Sequence, residues 1–225
     1  MPVIKTENLC RWFTVGGRRV DVLKNINLSM KQGTFNILMG PSGSGKTTLL
    51  NILGALDRPD EGNVYIDGEE ITCTTEYKRD GVRRNKLGFV FQSVALLSNM
   101  SAYENVDFAL RVYGYDPKKR KSRAEECLDY VGLKKRMNHR PGEMSGGEQQ
   151  RVAIARAIAH KPMLLLADEP TAELDTNTSI KMVKLFKDLV DNEGITVIMC
   201  THDTSMIEVA DNILMLEDGV IKGAL

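Results

Sequence analysis

No stretch of this 225-residue chain approaches the roughly 18 consecutive apolar residues of a membrane-crossing helix, so any membrane role must run through a partner. Its first residues, Val3 and Ile4 beside Lys5 and Glu7, offer no long apolar core of the secretory kind, and no signal peptide is expected. Cysteine is scarce. Cys10, Cys73, Cys127 and Cys200 are scattered without any C-x-x-C spacing, which favours reduced thiols over a metal site. Net charge is lacking too: 30 basic residues balance 30 acidic ones, which argues against a broad basic face, and no nucleic-acid partner is expected. Internal repeats and low-complexity linkers are absent. What remains is ordinary, 42% hydrophobic and 27% charged, in a chain long enough to bury a core without staples.

Three apolar runs read as buried strands: Phe35 to Met39, Met163 to Ala167 and Ile195 to Cys200. Lack of alternation suits a parallel sheet covered on both faces, and the helical patterns between the runs make the class α/β. Val20 to Met30 is β-compatible with a polar break at Lys24-Asn25. Asp67-Gly68 and Asp218-Gly219 each sit between short β-like segments and predict tight hairpins. The middle is helical. Ser101 and Glu104 form an S-x-x-E capping box opening a helix whose apolar face is drawn from Tyr103, Val106, Phe108, Ala109, Leu110 and Tyr113, and which stops at Gly114. A second helix is predicted over Lys118 to Tyr130, stopped by Gly132. The expectation is therefore one domain over residues 1–225, with an α/β core in 1–92 and 158–225 and an inserted helical lobe in 93–157.

The Phe35 strand runs straight into Gly40-Pro41-Ser42-Gly43-Ser44-Gly45-Lys46-Thr47-Thr48, followed by an apolar helical face of Leu49, Leu50, Ile52, Leu53 and Leu56. This is G-x-x-x-x-G-K-T between a strand and a helix, the setting a phosphate loop requires. Glycines let successive backbone N–H groups turn toward phosphate oxygens, and the helix N-terminus adds partial positive charge. Lys46 is expected to reach the β- and γ-phosphates and Thr47 to offer a hydroxyl to Mg²⁺. The Met163 strand ends in Asp168-Glu169. Adjacent strand residues point to opposite sides, so Asp168 is assigned to the metal and Glu169 to the attacking water. His202 follows the third strand, at the carboxyl edge where ligands of open sheets sit.

Ser145-Gly146-Gly147-Glu148-Gln149 opens a long, nearly all-apolar helix. Ser145 and Glu148 make another capping box, and the two glycines at a helix start also suit an anion. With this segment the sequence resembles the ATP-binding subunits of ABC transporters over essentially its whole length. In the family's order stand the phosphate loop, Gln92 after Leu87-Gly88-Phe89-Val90-Phe91, the Ser145 signature, Asp168 and Glu169, Asp175 in Thr171-Ala172-Glu173-Leu174-Asp175, and His202. Within the family it looks closest to the lipoprotein-release and macrolide-export branch, departing from it with Ala172-Glu173 in the loop before Asp175.

The resemblance implies a P-loop ATPase fold: a mostly parallel sheet, an N-terminal antiparallel β subdomain and an inserted helical lobe. It implies ATP and Mg²⁺ as ligands, with Thr47, Gln92 and Asp168 toward the metal and Glu169, His202 and Gln92 toward catalysis. Phe13 stands where the family stacks an aromatic ring on adenine. Ser145, Gly146, Gly147, Glu148 and Asp175 are expected to complete the site of a second copy in a head-to-tail dimer. A membrane permease is the further partner implied, which places the chain on the cytoplasmic face of the cell membrane; Ser93 to Leu97 is a candidate contact. The competing reading is a soluble ABC ATPase without a permease. The short span between Gln92 and Ser145 leaves no room for that class's long coiled coils, and a single phosphate loop disfavours its fused forms.

Overall fold

The computed structural model of the chain describes residues 2–224. Two sheets organise it. The N-terminal four-stranded antiparallel sheet has the order β2-β1-β4-β5, formed by β1 (Pro2–Val15), β2 (Arg18–Lys31), β4 (Glu61–Ile66) and β5 (Glu69–Glu70). The six-stranded sheet has the order β10-β9-β3-β8-β7-β6. In it β3 (Phe35–Met39), β6 (Leu87–Val90), β7 (Leu164–Asp168), β8 (Thr196–Thr201) and β9 (Asn212–Glu217) are parallel, and β10 (Val220–Ala224) closes one edge antiparallel to β9. The mostly parallel sheet is as the apolar runs predict, and the antiparallel N-terminal unit is as the family resemblance implies.

Period-two alternation divides the core. Phe35, Ile37, Met39, Leu165, Ala167, Val197 and Met199 face one side of the parallel sheet; Leu38, Leu164, Leu166, Ile198 and Cys200 face the other. The first side is covered by α3 (Ala102–Val112), α4 (Pro117–Tyr130), α5 (Gly146–Ile158) and α6 (Thr176–Glu193). The second packs on α1 (Lys46–Leu53) and the antiparallel sheet. The helices of the middle segment thus share one continuous core with the sheet, Val106, Leu110 and Leu128 lying in the same cluster as Phe35.

Both predicted hairpins form, with φ of 53° and 76° at Asp67 and Gly68 and 49° and 77° at Asp218 and Gly219. The break at Lys24-Asn25 is real: Asn25 has φ 51°, and the β1–β2 register is irregular near it. The Ser101–Glu104 box caps α3 with both reciprocal bonds, and Gly114 stops the chain at φ 69°. One part of the predicted apolar face is corrected. Phe108 is exposed, because the core is reached by Ala102, Val106, Ala109 and Leu110 on the opposite side of α3.

Candidate active site

Strand β3 delivers the chain into the loop at residues 40–45, and α1 begins at Lys46. Gly40 has φ 156°, and a Cβ there would sit 2.1 Å from the Leu216 carbonyl oxygen, so the loop packs backbone to backbone against β9. Gly45 has φ 106°, with the Val22 carbonyl 2.9 Å from where its Cβ would be. Only glycine meets both demands. Val22, the bulged residue between the Arg11–Leu23 and Trp12–Asp21 pairs, is how the antiparallel sheet touches this loop. An open cleft of about 450 Å³ follows, lined by Ser42, Gly43, Gly45, Lys46, Thr47 and Thr48, with Val22, Gln92, Asp168 and Glu169 around it. Gly40 and Ser44 lie beneath as structural members. Lys46 is almost fully buried and donates to the Gly40 and Pro41 carbonyls at 2.8 and 3.1 Å.

The acid pair is built differently from its sequence reading. Asp168 ends β7, but Glu169 is no strand residue: its φ is 44°, in the left-handed region. A backbone turn, not pleat alternation, separates the two carboxylates. The Glu169 N–H donates to the Cys200 carbonyl at 3.0 Å, pinning the turn to the end of β8. Glu169 then sits between two basic side chains, Oε1 4.0 Å from Lys46 Nζ and Oε2 3.1 Å from His202 Nδ1. Asp168 Oδ1 is buried without a partner. Burial pushes its carboxyl above the ordinary range, opposed by a hydrogen bond from Thr47 and the charge of Lys46, while Glu169 adds to the rise. A buried, unsatisfied carboxylate oxygen beside a threonine hydroxyl fits a hard divalent cation in its donor chemistry.

Gln92 is exposed just beyond β6, and the flanking chain is tied to α5. Gln150 donates to the Phe91 carbonyl at 3.4 Å; Arg156 donates to the Ala95 and Val94 carbonyls at 2.6 and 3.1 Å. These two clamps were not anticipated, although Arg156, the one charged residue between Val152 and Ile158, is a readable signal. Ser145 caps α5, its side chain accepting from the Glu148 N–H, with Glu148 bonding back. Gly147 packs against Thr178, where a Cβ would meet Thr178 Cγ2 at 2.6 Å. Asp175 caps α6 and holds the Thr178 hydroxyl at 2.6 Å. Ser145, Gly146, Gly147, Glu148 and Asp175 line a second depression with Arg151, Glu173 and Lys181. It shares no residue with the phosphate-loop cleft. Within one chain the structure therefore gathers Gln92, Asp168 and Glu169 at the phosphate loop, with His202 behind Glu169 in an adjoining depression, and leaves the signature apart. Phe13 lines neither depression; it is partly exposed on β1, paired with Val20 two residues from Val22.

A phosphate loop at a strand–helix junction, with an acid-capped neighbouring strand, defines a P-loop nucleotide hydrolase. Comparison with known proteins narrows this. The family model "ABC transporter" matches residues 23–172. MJ0796 of Methanocaldococcus jannaschii, an uncharacterized ABC transporter ATP-binding protein, is 43% identical over 225 residues, covering 98% of this chain and 95% of its own. Its structure, a dimeric post-hydrolysis state bound to ADP and Pi, superposes with a TM-score of 0.91 over 99% of this chain and 97% of that one, at 41% identity. The lipoprotein-releasing system ATP-binding protein LolD of Syntrophotalea carbinolica is 43% identical, covering 98% of this chain and 97% of its own. The macrolide export ATP-binding/permease protein MacB of Bartonella henselae is 43% identical over 97% of this chain, which spans 33% of that longer protein. This chain belongs to the ABC transporter family, as an ATP-binding domain and an ATPase.

Proposed function

We propose that the chain energises a separate membrane permease by binding and hydrolysing Mg-ATP as a head-to-tail dimer, in an exporter or force-transmitting system like those for which LolD and MacB are named. The observation that carries the reading is Glu169, held between Lys46 and His202 at the mouth of the phosphate-loop cleft while the signature lies in a separate depression. The phosphate-loop N–H groups and Lys46 take the β- and γ-phosphates; Lys46 would exchange its Gly40 and Pro41 carbonyls for them. Thr47, Asp168 and Gln92 would hold Mg²⁺, whose charge offsets that of the phosphates. Glu169 accepts the proton of the attacking water, and His202 orients the Glu169 carboxylate and donates toward the γ-phosphate.

The split geometry supports the dimer. Ser145, Gly146 and Gly147 present α5 N–H groups to an anion that this chain's own phosphate loop cannot supply, so a second copy's ATP is the matching ligand. A γ-phosphate contacted only in the closed pair biases closure, and its loss reopens the pair. We assign residues 93–157 as the lobe that moves with nucleotide state. Gln150 and Arg156 carry its motion to Gln92, since both sit on the helix that Ser145 caps. Val94 and Ala95 have their carbonyls held by Arg156 while Ser93, Ala95 and Leu97 stay exposed, which suits a surface for a permease segment. No helix among the described residues is long and apolar enough to cross a membrane, so a permease would hold the chain at the cytoplasmic face.

The test is Glu169→Gln. Turnover should fall by about 10²–10⁴ while ATP binding persists and an ATP-dependent dimer accumulates in light scattering. Near-normal turnover sinks the general-base role. Purified from detergent-solubilised membranes with Mg-ATP, the same variant should bring down an integral membrane protein stoichiometrically; soluble partners alone would favour an ABC ATPase without a permease.

A further inference from the structure

We propose that Arg11 is a positioning residue for the nucleotide base, acting through Phe13; the inference rests on the ATP-binding reading above. The Arg11 guanidinium lies over the Phe13 ring, 4.6 Å from its centroid. It is mostly buried, and both terminal nitrogens are engaged. One terminal nitrogen donates to both Asp60 carboxylate oxygens at 3.2 Å each; the other donates to Asp57 Oδ1 at 3.2 Å, with Asp57 Oδ2 at 3.0 Å. Asp60 is knitted into β1 on both sides of Arg11: its carboxylate accepts from the Trp12 N–H at 2.8 Å, and its N–H donates to the Cys10 carbonyl at 2.9 Å.

These contacts fix the plane of the guanidinium, and a fixed plane under one face of Phe13 leaves the other face for a ligand. That face belongs to the strand pair whose Val22 borders the phosphate cleft. Asp57 closes the turn after α1, its N–H donating to the Asn51 carbonyl. Arg11 therefore ties the ring that would stack on a base to the far end of the helix whose start holds the phosphates. It fixes the distance between the two halves of the nucleotide site. The neighbouring Trp12 carries its own guanidinium, Arg19, 3.7 Å from its ring centroid. Lysine cannot replace Arg11 fully, since a point charge has no planar face and no second edge for the second carboxylate.

The experiment compares KM and kcat for Mg-ATP with the inhibition constant of inorganic tripolyphosphate, which has the phosphates and no base. Arg11→Gln should raise KM about fivefold with kcat within about twofold, and leave the tripolyphosphate constant unchanged. Arg11→Lys should recover part of the loss. Phe13→Leu should raise KM as well, and adding Arg11→Gln to it should change nothing more, because the arginine acts through the ring. Equal shifts for ATP and tripolyphosphate, additive effects in the double variant, or an unchanged KM would each overturn the proposal. A wild-type protein that neither turns over ATP nor is inhibited by tripolyphosphate would overturn the nucleotide reading itself, and the role of Arg11 with it.

Discussion

Gly147→Ala tests whether the signature and the start of α6 form one rigid joint. The added methyl would lie 2.6 Å from Thr178 Cγ2, about 1 Å inside normal carbon contact. Thr178 cannot turn away freely, because its hydroxyl is bonded to Asp175 at 2.6 Å and its N–H to the same carboxylate at 3.1 Å. Rotating the side chain gives up a charge-assisted hydrogen bond, about 1.5–3 kcal/mol; pushing α5 and α6 apart costs about 1–3 kcal/mol of overpacking. Alanine returns up to about 1 kcal/mol through its better helix propensity. The net is a loss of about 1–2 kcal/mol, or a melting temperature lower by about 3–6 °C in a domain of this size. Activity should suffer more than stability, since the displaced parts are the signature N–H groups and Asp175. We expect ATPase turnover to drop at least about tenfold, with ATP affinity at the phosphate loop unchanged. Thr178→Ser deletes the obstructing methyl and keeps the hydroxyl, so Gly147→Ala/Thr178→Ser should regain most of both losses. If serine restores neither melting temperature nor turnover, the clash is not the cause and the joint is misread.

Two further outcomes follow from the same geometry. Ser145→Arg should leave ATP binding to the monomer intact and abolish the ATP-dependent dimer; a dimer persisting in light scattering would refute the role of the signature in trans. His160 is half-buried against Tyr113, ring centroids 3.8 Å apart, and this desolvation lowers its pKa to about 4. A histidine whose folded pKa lies below its unfolded value of about 6.5 makes stability fall as pH drops from about 6.5 to about 4, because the unfolded chain takes up the proton first. Between pH 7 and pH 5 the wild type should lose about 2 kcal/mol more in urea unfolding than His160→Gln; parallel pH curves would exclude His160 as the source.

Much of the site was legible because its signals are local. Phe35 to Met39 followed by Gly40 to Thr48 needs no tertiary information, and the Ser145–Glu148 capping box is written within four residues. Glu169 stands beside the phosphate loop, but not by strand alternation, since the turn after β7 depends on a hydrogen bond to Cys200, a partner distant in sequence. The β1–β2 hairpin turns on Gly16-Gly17, at φ 57° and 77°, a signal present but overshadowed by the irregular pattern of the two long strands. Helix α2 (Glu76–Lys86) escaped notice because Val82 is its one buried apolar residue. It is docked instead by Arg79 and Arg83, which both donate to the Ala55 carbonyl, and a helix held by guanidinium groups has no hydrophobic period to read.

The left-handed backbone at Glu169 sets the chain's stability against its chemistry. A branched or bulky residue at φ 44° would be strained, and glutamate still gives up about 1 kcal/mol that glycine would not. Selection for folding alone would drive this position toward glycine or asparagine. If Glu169 is the general base proposed above, a copy of this chain relieved of hydrolysis would gain stability from Glu169→Gly, and that substitution should raise the melting temperature while abolishing turnover.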